Sequence, residues 1–252
     1  MPDVSEGFIE CGVSRTERNS RALGGNDMRE QFKQQLAEIK SEVVDILRDV
    51  ETLVGQATRA LVEGDAERAA QLVANDDEFD RRTLDVENRV LETIATQFPV
   101  ARDLRLLHSM AFIAMYEERM ADLAANIAKT AMRVTDKKGT VRAPQILAEL
   151  IQQQGDLVVQ VLKTAREALE TNNLELALKL PEMDTPVDEI YKQFFRALAH
   201  LSDEKEIEWA SRMVMSSRYL ERISDNAVDI GERIVFLLTG ERDAYDEMEL
   251  SD

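Results

Sequence analysis

The sequence predicts an all-α protein built from two tandem, homologous three-helix bundles, with six long helices in total. Three observations carry this. First, the composition is helical: aromatics are only 5% of residues, and five prolines and ten glycines are too few for a loop-rich β chain. Ala, Leu, Glu and Arg abound, and these lose little side-chain freedom in a helix. Second, apolar residues recur at three- and four-residue spacing through long stretches separated by short breaks. Third, the two halves of the chain repeat each other.

Residues 1–27 mix polar side chains with scattered glycine and predict a disordered tail. They lack the basic start and apolar core of a signal peptide. A break at Gly24-Gly25-Asn26-Asp27 precedes Met28, which opens the first periodic segment. There Val43, Ile46, Leu47, Val50, Leu53, Val54, Ala57 and Leu61 fall on one face. Gly64-Asp65 ends that helix, and Asp65 is placed to N-cap the next. Phe98-Pro99 separates the second helix from the third. "TDKKG" (135–139) divides the halves into a first unit, 28–137, and a second, 138–241. In the second unit the breaks are Asn172-Asn173, Ser202-Asp203 and Gly240. Ser202, with Lys205-Glu206 behind it, resembles a helix start. Residues 242–252 form an acidic tail. Breaks every 30 to 40 residues argue against one continuous coiled-coil rod.

The repeat has two registers. "ATRALVEGDAERAAQL" (57–72) and "AREALETNNLELALKL" (165–180) agree at six of sixteen positions with an offset of 108. At that offset Asp76 pairs with Asp184 and Asp80 with Asp188. "YEERMADLAANIA" (116–128) and "YLERISDNAVDIG" (219–231) agree at six of thirteen positions with an offset of 103. The second copy is therefore five residues shorter between its second and third helices.

Net charge is −18. Such a surface repels phosphate backbones, which argues against nucleic-acid binding, and disfavours anionic lipid. It suits metal cations or basic partner surfaces. No apolar run approaches the roughly 20 residues of a membrane span. The single cysteine, Cys11, forms no internal disulfide, in keeping with a reducing compartment.

With 49 acidic residues in 252, about nine acidic pairs at i, i+4 arise by chance. Context separates some from that background. Glu221, Asp225, Asp229 and Glu232 share an arc of about 80° with Ala210, Val214, Val228 and Val235. Glu118 and Asp122 share theirs with Leu104, Leu107, Ala111, Ala114 and Ala125. Asp76, Asp80 and Glu87 lie within about 40° of one another beside Leu84, Leu91 and Ile94. Carboxylates bordered by apolar residues need neutralising. Arg119 and Arg222 point about 100° away from the neighbouring Glu and are expected to serve other acids. Two readings stay open. Oxygen ligands converging from neighbouring helices suit Mg²⁺, Mn²⁺, Ca²⁺ or iron; alternatively these acids form salt bridges at the wet edge of the bundle.

Enzyme signatures are missing. His108 and His200 lack the Glu three residues earlier that di-iron bundles carry, and there is no phosphate-binding glycine loop or nucleophile elbow. Trp209, Met110, Met115, Met120, Met213 and Met215 read as core residues.

Two three-helix units, each with "DxxxD" on the second helix and "ERxxD" on the third, resemble the PhoU family. "ANDDEFDR", "QFPVARDLRLL" (97–107), "YEERMADLAANIA" and "YLERISDNAVDIGERIVFLLTGE" (219–241) carry the resemblance, which extends from Met28 to Glu241. It implies a cytoplasmic, non-enzymatic adaptor between the phosphate-importing ABC transporter, through its ATPase, and a sensor histidine kinase. Such an adaptor keeps the phosphate-starvation response off and restrains uptake. The resemblance also implies a homodimer and multinuclear metal sites with carboxylate ligands, holding iron or zinc; the oxygen donors equally suit manganese or magnesium. Carried over residue by residue, the ligands are Asp76, Asp80, Glu118 and Asp122 in the first unit. In the second they are Asp184, Asp188, Glu221 and Asp225, with Asp229 added and Glu232 and Glu87 as further members. Thr83 stands where relatives place another acid, and Asn126 stands at the place equivalent to Asp229. Pro186, between Asp184 and Asp188, predicts a helix start with Asp184 or Thr185 as its N-cap. The competing functions are a metal-dependent phosphohydrolase and a metal-free structural helical protein.

Overall fold

The computed structural model describes residues 15–134 and 144–241, with side chains from Met28 onward except that of Lys205. Of the disordered tail expected over 1–27, residues 1–14 lie outside the described residues, as do the acidic tail 242–252 and the unit boundary at 137/138, while residues 15–27 are helical and not disordered.

Six long helices form the two bundles: α1 (Arg15–Glu63), α3 (Asp76–Gln97) and α4 (Ala101–Val134), then α5 (Gln145–Thr171), α7 (Leu180–Leu198) and α8 (Glu204–Thr239). Two short helices, α2 (Ala66–Ala74) and α6 (Leu174–Leu178), lead into α3 and α7. α1 runs unbroken through Gly24–Asp27, where the sequence predicts a break.

The repeat is visible in the turns. Gly64 and Asn172, 108 residues apart, both take positive φ (69° and 52°). Glycine and asparagine tolerate that left-handed conformation best. The residue after each caps the short helix: Asp65 Oδ1 accepts from Arg68 N at 2.9 Å, and Asn173 Oδ1 accepts from Leu176 N at 3.2 Å. In α8 the cap is Asp203, whose Oδ1 accepts from Glu206 N at 3.1 Å, and not the expected Ser202. A carboxylate there also matches the positive end of the helix dipole.

α1, α4, α5 and α8 pack on one another and bury the centre; α3 lies outside on α1 and α4, and α7 outside on α5 and α8. The predicted stripe on α1 is core, with Val43, Ile46, Leu47, Val50, Val54, Ala57 and Leu61 wholly buried. Gly155 is where α5 meets α1: a Cβ there would come within 2.5 Å of Thr58 Cγ2. Thr58 belongs to the first unit and Gly155 to the second, and the counterpart of Gly155 in the first unit is Leu47, so this close approach joins the units and has no glycine equivalent in the repeat.

Trp209 and Met110, Met120 and Met213 are buried as expected. Met215 is 48% exposed, because it faces away from the core side that Met213 occupies.

Candidate metal centres

The outer helices carry the acids. In the first unit α3 offers Asp76 and Asp80, one turn apart, to Glu118 and Asp122 of α4. Carboxylate oxygens of Asp80, Glu118 and Asp122 lie within 4.8 Å of one another. Asp76 sits at the edge of this group, with Oδ2 at 3.5 Å from Lys129 Nζ and Oδ1 buried without a hydrogen-bond partner. A hollow of about 220 Å³, lined by Asp80, Thr83, Leu84, Glu87, Met115 and Glu118, opens beside it. Thr83 supplies no charge, and its hydroxyl donates back to the Phe79 carbonyl at 3.0 Å. Burial pushes Glu118 and Asp122 above the ordinary carboxylate range, and neighbouring carboxylates add to this. Asp122 and Asp80 act on Glu118; Asp76 and Asp80 act on Asp122, with Lys129 opposing.

In the second unit oxygens of Asp184, Asp188 and Asp225 lie within 4.8 Å of one another. The helix does not begin at Pro186. It starts at Leu180, takes Pro181 into its first turn and runs through Pro186, so Asp184 is a helical residue and not a cap. Pro186 withholds an N–H from the Glu182 carbonyl; both residues are exposed, so the missing bond falls on the solvent side of the helix. Asp184 and Asp188 thus keep the one-turn spacing needed to face Asp225. A buried hydrogen-bonded group fixes these helices: Gln154 of α5 donates to the Val187 carbonyl of α7 (3.4 Å) and the Ser217 carbonyl of α8 (3.2 Å). Ser217 Oγ donates back to Gln154 Oε1 at 2.7 Å.

Glu221 departs from its expected role. It pairs with Arg218, one turn before it, and stands outside the three-carboxylate group. The first unit has Met115 at the place of Arg218, so Glu118 is left to the cluster. Asp229 is half-buried one turn beyond Asp225. Burial raises Asp225, with Asp188 adding, and raises Asp229, with Asp225 adding. Burial also raises Asp184, which the Ser224 hydroxyl opposes. Arg119 crosses the unit boundary electrostatically and favours the charged form of Asp229, while Arg222 does the same for Asp225. Arg222 thus serves an acid other than the Glu beside it, as its direction predicts, whereas Arg119 also favours the charged form of its neighbour Glu118.

The donor chemistry fits a hard cation. Each cluster offers oxygens only, from two helices, and the first borders a buried carboxylate oxygen without a hydrogen-bond partner, Asp76 Oδ1. These acidic clusters could bind metal. Histidine plays no part: His108 stacks on Phe112, with ring centroids 4.7 Å apart, and His200 is exposed.

Sequence reasoning missed Glu117. It is wholly buried, neither carboxylate oxygen has a hydrogen-bond partner, and burial raises it well above the ordinary range. Its signal was the repeat itself: the equivalent residue, 103 positions on, is Leu220.

A sequence model of the PhoU domain matches residues 43–131 and again 151–234. The two matches start 108 residues apart and end 103 apart, the same two offsets as the repeat. A Caulobacter vibrioides protein named phosphate-specific transport system accessory protein PhoU homolog is 32% identical over 212 residues, 83% of this chain and 90% of that one. The crystal structure of PhoU from Pseudomonas aeruginosa superposes with a TM-score of 0.77 at 26% identity, covering 83% of this chain and all of that one. A second solved structure, a PhoU from Streptococcus pneumoniae, shares the fold with a TM-score of 0.72 at 23% identity.

Proposed function

Because the chain belongs to the PhoU family, we propose that it regulates phosphate uptake and holds the phosphate-starvation response off when phosphate is plentiful. It is a regulatory protein and not an enzyme. The observation that carries the proposal is the double match: both repeats fit the PhoU domain, and the relatives that share them are named for the phosphate-specific transport system. In this reading it works in the cytoplasm, by binding alone, between the ATPase of a phosphate-importing ABC transporter and a sensor histidine kinase. Such an adaptor shifts the conformational populations of its partners. No described helix is long and apolar enough to cross a membrane, which fits a protein that meets a transporter from outside the bilayer. The units correspond to 28–137 and 138–241, and the working form is a homodimer.

The metal reading accompanies this. Asp80, Glu118 and Asp122, flanked by Asp76, would hold a cation between α3 and α4. Asp184, Asp188 and Asp225, flanked by Asp229, would do so between α7 and α8, with Glu221 joining only after releasing Arg218. The donor set supports iron, manganese or magnesium directly, and zinc through carboxylates alone. A bound cation would neutralise each cluster and clamp two helices.

Deleting the gene is expected to switch phosphate-starvation genes on in phosphate-rich medium. Unchanged expression in that strain removes the regulatory reading. Elemental analysis of protein purified without chelator tests the metal reading separately.

A further inference from the structure

The two units differ beside their acidic clusters. In the second, Lys192 on α7 and Arg218 on α8 bring cations to the face, and Arg218 pairs with Glu221. At the equivalent places the first unit has Leu84 and Met115. Its acids therefore border an apolar surface and lack those two cations. That surface is long. Leu84 and Leu91 on α3 are 56% and 65% exposed, and Leu104 on α4 is 42% exposed. Beyond them Phe98 and Val100, in the α3–α4 turn, are 82% and 73% exposed.

Helical periodicity puts these residues in one groove. Leu104, Ala111, Met115, Glu118 and Asp122 share a face of α4; Asp76, Asp80, Leu84, Glu87 and Leu91 share a face of α3. The helices run antiparallel through the short turn at 98–100. Leu91 and Leu104 thus mark an apolar end, and Asp80, Glu118 and Asp122 an acidic end, with Leu84, Glu87 and Met115 between. From Leu104 to Asp122 the groove runs about 27 Å, the length of some 18 helical residues.

We propose that this groove is the docking surface for a basic, amphipathic segment of a partner protein. In the metal-free chain the segment lays apolar side chains on Leu84, Leu91 and Leu104 and sets Lys or Arg against Glu87, Glu118 and Asp80, so that it competes with a cation for the last two. Two features select that occupant. Exposed Leu and Phe in a row give burial energy to an apolar helix face. The adjacent carboxylates, on a chain of net charge −18, favour a cationic segment and repel an acidic one. The inference rests on the reading of the chain as a regulator that acts by binding.

The test is fluorescence anisotropy with the full chain in EDTA. The probe is a labelled 18-residue helical peptide carrying Leu at one end of one face and Lys at the other. A scrambled peptide and a Lys-to-Glu peptide are the controls. The expected result is saturable binding to the basic peptide alone, weakened by salt and at least tenfold weaker in Leu84→Lys/Met115→Arg. That variant imports residues the second unit already carries at these surface places, so the fold should hold them. Glu87→Lys is the second variant, with the same expectation. Equal binding of basic and scrambled peptides overturns the proposal, as does unchanged affinity in both variants. Binding that needs added Mn²⁺ gives the face to metal instead and also overturns it. So does a dimer, seen by sedimentation, that the double variant dissociates, because the groove is then covered by a second copy. Failed peptide binding with a derepressed deletion strain removes the groove and leaves the regulatory reading standing; the reverse pair of results does the opposite.

Discussion

Glu117 and Leu220 stand at the same place in their two units, 103 residues apart, and both are wholly buried. Their surroundings differ in the same way. In the first unit Arg82 of α3 reaches Glu42 at 2.8 Å and Asp49 at 2.6 Å on α1. The second unit has Ile190, Leu150 and Leu157 at these three places. One fold thus carries a charged layer in one copy and an apolar layer in the other. Within that layer Glu117 alone has no hydrogen-bond partner, and burial raises its carboxyl well above the ordinary range.

Replacing Glu117 by Leu, as the second unit has done, is expected to stabilise the protein by about 1–3 kcal/mol at neutral pH. The sign with pH is fixed. A carboxyl raised in the folded state leaves stability whole below its unfolded value and removes it as pH rises through the folded one. The gain from Glu117→Leu should therefore be larger at pH 7.5 than at pH 4.5. Urea unfolding at the two values checks it.

Four carboxyls of the two clusters share that sign. Glu118, Asp122, Asp184 and Asp225 are all raised, chiefly by burial. In chelator the midpoint of thermal unfolding should rise as pH falls from 7.5 to 5. The triple variant Asp80→Asn/Glu118→Gln/Asp122→Asn should show a flatter profile. Mn²⁺ should raise the wild-type midpoint at pH 7.5 more than at pH 5, because protons compete for the same oxygens. Calorimetry with and without EDTA measures both effects.

Pro186 lies inside α7 and is exposed. Pro186→Ala restores a donor for the Glu182 carbonyl, and an expected gain of about 1–3 kcal/mol follows from the cost of proline inside a helix. Metal content, by elemental analysis, should not change, because Asp184 and Asp188 already have helical spacing.

Gly155→Ala should destabilise by about 1–3 kcal/mol, since the added methyl meets the Thr58 side chain across the α1–α5 contact. Denaturant unfolding of this variant beside Thr58→Ser/Gly155→Ala tests the geometry: Thr58→Ser removes Cγ2, the nearest of the three Thr58 atoms, and should recover part of the loss.

The architecture was legible because periodicity and the repeat are local signals. The stripe on α1, the Asp65 cap and the two offsets can all be read from spacing. The acidic clusters were legible in part. Asp80, Glu118, Asp122, Asp184, Asp188 and Asp225 meet as their helical faces predict. Glu221 does not, because Arg218 lies one turn away on the same helix and claims it. Pro186 misled because proline marks a helix start only where no earlier one competes, and Pro181 already fills that place. Glu117 was illegible from its own helix, where an acid beside another acid reads as surface. Only the comparison with Leu220 exposes it.

The regulatory claim meets its most direct test in a deletion strain carrying a phosphate-starvation reporter and complemented with this chain, grown in phosphate-rich medium. The wild-type chain should return the reporter to its repressed level. The Asp80→Asn/Glu118→Gln/Asp122→Asn variant, present at equal abundance and equally helical, should leave it at least severalfold derepressed. A reporter that stays silent in the uncomplemented strain contradicts the regulatory account, and full repression by the variant contradicts the role given to the carboxylates of α3 and α4.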